Sequence, residues 1–184
     1  MTSSGYGKAQ VHSFEGSIDD RIRLIGEQVI KSQHDPYTRA VALEIVAGLP
    51  QHGLESEEAE VAQVFWWVKN NIEYRQDPRD FDYYATAKRT LQFRAGDCDD
   101  HVVLIAGLLH NLGFKVGARV ISPDGYGWHI YALVGLPRVS PSGVLALDTT
   151  QPESFPGWEP GVVHRRHEIL VTFNGDGTLI KRLR

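Results

Sequence analysis

The chain of 184 residues is long enough for one domain with a hydrophobic core, and its 42% hydrophobic and 23% charged residues are typical of a globular protein. A net charge of −4 argues against the broad basic surface that nucleic acids or anionic membranes require of a partner. No secretory signal and no apolar run near the roughly 20 residues of a membrane span is seen, so we expect a cytoplasmic protein.

The N-terminal half has the pattern of successive helices. Residues 1–16 are polar and are predicted to form a flexible N-terminus, followed by a single domain over 17–184. Ser17 is placed to cap a first helix, and a second helix is predicted from Pro36 to about Val46. The third and strongest helical pattern is LESEEAEVAQVFWWVKNNIEY, for which Ser56 is the expected N-cap.

The next segment surrounds the only cysteine. The polar stretch RQDPRDFDYY is predicted to be a loop, and a short helix is expected near Thr86–Leu91. The stretch RAGDCDDHVVL then contains Cys98, with Asp97 as the expected N-cap of an apolar helix over 98–112. Gly113 is well placed as the residue that ends this helix.

After this helix the spacing of apolar residues changes from the helical period to the two-residue period of strands. FKVGARVI and GWHIYALVG alternate around the turn sequence PDGYG, and VLALD is a short buried strand. EILVTF and TLIKRL flank NGDG and predict a terminal hairpin. Helices followed by antiparallel strands predict an α+β fold in which the Cys98 helix packs on the sheet.

Three residues in this order could form a nucleophilic site. Cys98 at a helix start would face unpaired N–H groups, which favour the reactive thiolate. His129 on a strand could exchange its proton, and Asp148 at the end of VLALD could orient the histidine from a neighbouring strand. The alternatives are a small buried cysteine, a hydrogen-bonded strand histidine and a turn aspartate. A metal site in DCDDH is disfavoured because one cysteine is too few for a structural zinc site, so we predict no metal.

The same residues carry a resemblance to a known family. WWVKNNIEY, GDC before an apolar helix, LGFKVGARV, WH on a strand and LALDTTQPE follow one another as in the transglutaminase-like superfamily of papain-like cysteine enzymes, over about 60–155. The resemblance implies a papain-like core without a cofactor, with Cys98 as nucleophile, His129 as general base and acid, and Asp148 as the orienting residue. It also implies an upstream donor to the oxyanion, for which Tyr84 lies near the family's position and Tyr83 and Gln76 compete.

The function expected from this resemblance is a cysteine-dependent amide hydrolase, as a peptidase or deamidase, or an acyl transferase of the transglutaminase type. Its substrate would be a protein or peptide. Hydrolysis is favoured because a single domain resembles the bacterial and phage members more than the animal transglutaminases. The alternative is a non-catalytic or weakly catalytic peptide-binding or structural assembly module, such as one related to a phage particle, that keeps the fold. Asp97, Asp99 and Asp100 raise one question, because their charges would disfavour a thiolate.

Overall fold

A computed structural model describes residues 10–13, 16–50, 54–77, 81–174 and 177–183. Within these residues the structure contains helices, a five-stranded sheet and two separate two-stranded pairs of short strands. The helices are α1 (Ile18–Gln33), α2 (Pro36–Ile45), α3 (Leu54–Asn71), α4 (Ala87–Phe93) and α5 (Cys98–Asn111), and a short 3₁₀ helix covers Val162–Arg165. The strands are β1 (Gln10–Ser13), β2 (Glu73–Tyr74), β3 (Phe81–Tyr84), β4 (Ala95–Gly96), β5 (Val116–Ser122), β6 (His129–Leu136), β7 (Gly143–Leu147), β8 (His167–Asn174) and β9 (Gly177–Arg182).

Side-chain caps begin the helices largely where the sequence predicts them. Ser17 caps α1 in a capping box with Asp20, because each side chain accepts a hydrogen bond from the other residue's backbone N–H. Asp97 caps α5 by accepting a hydrogen bond from the N–H of Asp99 at 3.2 Å. The predicted cap of α3 is wrong. This helix already begins at Leu54, and the hydroxyl of Ser56 donates to the carbonyl of Pro50 instead.

The five-stranded sheet is antiparallel throughout, in the order β7-β6-β5-β8-β9. The predicted pairs β5–β6 and β8–β9 are present, and β7 extends the sheet beyond β6. Helix α5 contacts β6 and β5 with its apolar face, and α1, α2, α3 and α4 pack around it. The predicted α+β fold is therefore confirmed, with the cysteine helix in the centre of the molecule.

Two strand pairs were not predicted. Strand β1 pairs with β3 in antiparallel fashion. The sequence predicts a flexible terminus where β1 lies and a polar loop where β3 lies. The remaining residues of 1–16 lie outside the described part of the chain, apart from Gly16. Strands β2 and β4 pair in parallel, with Tyr74 opposite Gly96. This second pair joins the segment just after α3 to the residues that lead into Cys98.

The described helices include none with the length and apolar character needed to cross a lipid bilayer. This finding agrees with the hydropathy of the sequence, in which no comparable run occurs.

Candidate active site

Cys98 is the first residue of α5, so its thiol lies at the positive end of the helix. The residue is half-buried and packs against the main hydrophobic core. A hydrogen bond from the backbone of Ile130 on β6 favours the thiolate, but burial and the charges of Asp97 and Asp99 outweigh it. Together they raise the pKa of the Cys98 thiol well above its ordinary value. A free thiolate is thus disfavoured, and reactivity would need a base beside the sulfur.

His129 and Asp148 form the second part of the site. The register of β6 and β7 pairs Ala132 with Leu147, which brings the residue after β7 next to the start of β6. Nε2 of His129 lies 2.7 Å from Oδ2 of Asp148. Because this bond occupies Nε2, Nδ1 is the ring nitrogen that could exchange a proton with a thiol.

The Asp148 carboxyl is 1% exposed and is held on both oxygens. Its Oδ1 accepts from the N–H of Thr150 at 3.0 Å and from the Thr150 hydroxyl at 2.7 Å. Burial opposes ionisation, but the contacts with His129 and Thr150 outweigh burial and lower the pKa of Asp148. The carboxylate therefore accepts the Nε2–H of His129 and fixes the orientation of the imidazole.

One cleft contains both the thiol and the imidazole. This cavity, called here the thiol cleft, has a volume of about 330 Å³. Its walls come from α1, β2, β3, the start of α5 and the β5–β6 loop, and they include Cys98, His129, Tyr74, Gln76, Tyr84, Trp128 and Ile130. The structure thus places Cys98 and His129 on the walls of one cleft, with Asp148 hydrogen-bonded to the histidine.

The three residues predicted as possible oxyanion donors do not all line the thiol cleft. Tyr84 lines the thiol cleft and is 2% exposed, and Gln76 also lines this cleft. Tyr83 does not line it, and instead borders a different cavity together with Asp100. A phenol that sequence reasoning did not consider, Tyr74, lines the thiol cleft and is 48% exposed.

Tyr74 lies unusually close to charged groups. Burial, followed by the charges of Cys98, Asp97, Asp148 and Asp99, raises the pKa of its phenol to about 12. The hydroxyl therefore stays protonated at neutral pH and remains a hydrogen-bond donor beside the thiol. The parallel pairing of Tyr74 with Gly96 produces this placement, because Cys98 follows two residues after Gly96.

The acidic residues around the cysteine have distinct roles. Asp97 accepts the N–H of Asp99, and Oδ1 of Asp100 accepts the N–H of Ala85 at 3.0 Å. Burial and the neighbouring charges of Asp97 and Asp100 raise the pKa of Asp99 well above its usual range, so this carboxyl binds a proton readily. Two of the three residues therefore fix the backbone around the thiol.

The same three carboxyl groups are the described residues that come nearest to a metal-binding set, since their ligand atoms lie within 4.8 Å of one another. Carboxylates of this kind suit hard cations such as Ca²⁺. Two of the three carboxyl groups already accept backbone hydrogen bonds, Asp97 from the N–H of Asp99 and Asp100 from the N–H of Ala85. The cluster alone therefore identifies no metal site.

A second histidine lies one helical turn from the cysteine. His101 is 2% exposed, and its Nδ1 is 2.8 Å from the hydroxyl of Thr149. Burial, opposed by the charge of Asp148, lowers the pKa of His101 to about 4. His101 is thus neutral at physiological pH and holds the residue next to Asp148, with the ring of Tyr74 6.3 Å away.

Comparison with protein families matches residues 39–133, just over half of the chain, to the transglutaminase-like superfamily. The chain belongs to the transglutaminase-like superfamily. The matched segment contains Cys98 and His129 and ends before Asp148, and it begins earlier than the resemblance over 60–155 that the sequence indicates. The family prediction is confirmed, while the catalytic roles of the individual residues stay predictions.

Solved structures support the same fold. The crystal structure of a candidate cysteine protease from Cytophaga hutchinsonii is similar, with a TM-score of 0.50 and 13% sequence identity. The similarity covers 96% of this chain and 63% of that protein, so the chain spans less than two thirds of its length. At this identity the likeness shows the fold alone. No curated protein matches the sequence.

Asp148→Asn should lower the rate of a Cys98-dependent reaction by roughly 10²- to 10⁴-fold, because an amide no longer stabilises the protonated imidazole of His129. Hydrolysis of p-nitrophenyl acetate provides a simple measurement. Asp35→Asn is a matched control, since Asp35 also accepts the N–H and hydroxyl of a threonine, at 2.8 Å each, but lies at the start of α2. Equal rates for the two variants would show that Asp148 only stabilises its turn.

Asp100→Asn should change the pH dependence of stability. Burial, then the charge of Asp97, raises the pKa of Asp100 to about 7, whereas the carboxyl titrates near 4 in an unfolded chain. Between about pH 4 and pH 7 the folded protein keeps a proton that the unfolded chain has released, so the stability of the wild type falls as pH rises. The variant should therefore gain free energy of unfolding relative to wild type between about pH 4 and pH 7 in urea titrations, with little further change above that range. A difference that does not vary with pH would contradict this assignment.

Proposed function

We propose that this protein is a cysteine-dependent amide hydrolase that acts on a protein or peptide, with Cys98 as nucleophile. The observation that carries the proposal is the 2.7 Å bond between His129 and Asp148, beside a thiol at a helix start in the same cleft. Membership of the superfamily and the fold of a candidate cysteine protease support the same class of chemistry.

In the proposed reaction the thiol proton passes to Nδ1 of His129 as the sulfur attacks the carbonyl carbon of an amide. The raised pKa of Cys98 favours this coupled transfer over a preformed thiolate. The protonated His129 then gives its proton to the leaving amine as the C–N bond breaks and a thioester forms. Water, deprotonated by His129, attacks the thioester, and the acid and the thiol are released.

The oxyanion of the tetrahedral intermediate would receive a hydrogen bond from the backbone N–H of Cys98, which is among the unpaired N–H groups of the first turn of α5. Tyr84 is the side-chain donor proposed from its sequence position. Tyr74 is the second candidate, because its protonated phenol is half-exposed to the cleft and lies beside Cys98.

Substituting each tyrosine by phenylalanine separates the two candidates. The variant that removes the true donor should lower the rate of acylation of Cys98 by about 10²-fold, since it deletes one hydrogen bond to the developing charge. Tyr83→Phe is the matched control, because Tyr83 borders a different cavity. The burst of p-nitrophenol from p-nitrophenyl acetate measures acylation. Unchanged bursts in both Tyr74→Phe and Tyr84→Phe would mean that neither phenol donates.

Three assays on the purified protein test the proposed function and its subtype. Cleavage of unfolded casein indicates a peptidase, ammonia release from glutamine-containing peptides indicates a deamidase, and incorporation of a fluorescent amine indicates acyl transfer. We expect hydrolysis to exceed transfer, to survive EDTA and to disappear in Cys98→Ala. Activity that Cys98→Ala retains, or that EDTA removes, would contradict a cysteine mechanism.

A non-catalytic peptide-binding module is the second candidate, and one observation favours it. Burial and the charges of Asp97 and Asp99 hold the pKa of Cys98 high, as in an inert buried thiol. Such a module would bind peptides in the thiol cleft equally well with serine or alanine at position 98 and would form no thioester. A cytoplasmic location stays a prediction from the sequence for either candidate.

A further inference from the structure

His129 borders a second cavity as well as the thiol cleft. This cavity, called here the Trp158 cavity, has a volume of about 380 Å³ and is lined by His129 and Gly127 together with residues of the loop that follows β7. Cys98 is not among the residues that line it. His129 therefore borders two spaces, of which one is also lined by Cys98 and the other is not.

The walls of the Trp158 cavity combine apolar and polar surface, and Gln151 and His164 contribute to the polar part. Ile121, Pro123, Trp158 and Pro160 supply hydrophobic surface, and the carboxylate of Glu153 adds a negative charge. The aromatic ring and the two prolines form a surface that suits a flat apolar group, and a carboxylate next to an aromatic ring suits a cationic amine.

Nearby positive charges are already paired. Arg119 and Arg165 both form ion pairs with Glu159, and Arg119 also contacts Glu168 at 3.0 Å. These arginines therefore add no unbalanced positive charge next to Trp158. Charge repulsion does not exclude an amine from this cavity, whereas a carboxylate ligand would meet Glu153.

The loop that carries Trp158 is held in place before any ligand binds. Nζ of Lys69 on α3 donates to the carbonyls of Gln151, Pro152 and Ser154 at 2.8, 3.1 and 2.7 Å, and lies 2.8 Å from the Ser154 hydroxyl. The N–H of Gly157 donates to the carbonyl of Ala146 on β7 at 2.8 Å. A wall fixed in this way loses little entropy when a ligand is bound.

The chemistry of the proposed reaction divides the substrate between the two spaces. The acyl part becomes attached to Cys98 and must remain in the thiol cleft, while the amine part receives its proton from His129 and leaves. We propose that the Trp158 cavity binds the amine part of the substrate, and that this part carries an apolar or aromatic group. The inference rests on the proposed function, and it identifies a substrate class for the same site.

The same cavity would then receive an incoming amine. An amine that is bound as its ammonium form first gives one proton to water. The neutral nitrogen then attacks the carbonyl carbon of the thioester, its second proton passes to His129, the C–S bond breaks, and the thiolate recovers that proton. An amide and the free thiol are the products, so the step needs no further reactant. An amine that binds in the Trp158 cavity competes with water for the acyl group.

The partition of one acyl-enzyme between water and two amines tests the proposal. Cys98 is acetylated with p-nitrophenyl acetate in the presence of phenethylamine or ethanolamine, two primary amines of similar basicity, and the ratio of N-acetyl amide to acetate is measured after subtraction of the Cys98→Ala background. For a given amine at a given concentration, this ratio depends only on the acetyl-enzyme, which is the same for any donor of an acetyl group. We expect phenethylamine to be captured about tenfold more efficiently than ethanolamine.

Trp158→Ala should remove this preference. Phe155→Ala is the matched control, because Phe155 is an aromatic residue of the same loop that is 53% exposed and does not line the cavity. Glu153→Gln, at an exposed position, should lower the capture of both amines and keep the preference between them. A preference that Trp158→Ala retains, or that is absent in the wild type, overturns the proposal.

Binding without catalysis distinguishes failure of the cavity from failure of the function. Phenethylamine is titrated into Cys98→Ala while the indole N–H resonances are followed by NMR, and the Trp158 resonance is assigned by its loss in Trp158→Phe. We expect this resonance to shift, and a resonance that phenethylamine leaves unchanged overturns the cavity. Absence of any Cys98-dependent acetylation would instead contradict the proposed function, and the titration would still decide whether the cavity binds the amine.

Discussion

Cys98→Ala is expected to lower the turnover of any substrate by at least about 10⁴-fold, because the variant has no nucleophile to form the thioester. The fold should survive the substitution. Cys98 is half-buried at the first position of α5, and alanine is a good helix former, so we expect a loss of at most about 1 kcal/mol in the free energy of unfolding.

Steady-state hydrolysis of p-nitrophenyl acetate and thermal unfolding of the same preparation check this expectation together. Cys98→Ser is a useful second variant, since a hydroxyl keeps the shape of the thiol but is a far weaker nucleophile in this setting. If the Cys98→Ala variant and the wild type hydrolyse the ester at equal rates, the reaction does not pass through Cys98.

His129→Ala is the variant with the second largest expected effect, a loss of about 10³-fold or more in turnover. The variant lacks the imidazole that, in the proposed mechanism, takes the proton of a thiol whose pKa burial and carboxylates have raised. The cost to the fold should be at most about 2 kcal/mol, because Asp148 keeps its two hydrogen bonds from Thr150.

A matched control for this variant is His110→Ala. His110 is also partly buried, but it lies in the last turn of α5, far along the helix from Cys98. Turnover measured with both variants, alongside urea denaturation, separates loss of a base from loss of structure. A His129→Ala protein that keeps its turnover would contradict the role of the imidazole, and one that unfolds would show that the residue stabilises the fold.

Local sequence signals predicted most of the fold. Ser17 and Asp97 cap their helices as expected because a cap depends only on a side chain and the three residues that follow it. The hairpin partners β5–β6 and β8–β9 were also predicted, since alternation and turn residues are close together in the sequence. The predicted cap at Ser56 was wrong because α3 already begins at Leu54, and the Ser56 hydroxyl donates to the carbonyl of Pro50.

Contacts between distant segments were not predictable in the same way. The pairing of Tyr74 with Gly96 involves strands of only two residues, which leave no alternation to recognise. It is this pairing that brings the Tyr74 phenol to the cleft. The hydrogen bonds of Lys69 could not be predicted either, because the three carbonyls that it binds belong to a loop about 80 residues away in the sequence. A sequence signal was available for His101. It lies three residues after Cys98 on the same helix, a spacing that places the two residues near each other on the helix surface.

The three acidic residues illustrate how the structure changes a sequence argument. Asp97, Asp99 and Asp100 suggested a repulsive charge of three carboxylates on the thiol. The structure assigns Asp97 to the helix cap and Asp100 to the N–H of Ala85, and burial makes Asp99 prone to protonation. The remaining charge still raises the pKa of Cys98, which makes the neighbouring imidazole essential to the proposed mechanism.

The pH dependence of Cys98 alkylation in wild type and His129→Ala tests this mechanism most directly. Iodoacetamide modification, followed by intact mass, reports on one site because the chain has one cysteine. We predict that near pH 7 the wild type reacts at least about tenfold faster than His129→Ala, and that the rates converge only well above the usual thiol pKa of about 8.5. Equal rates across the whole pH range would show that His129 does not activate Cys98 and would contradict the proposed enzyme.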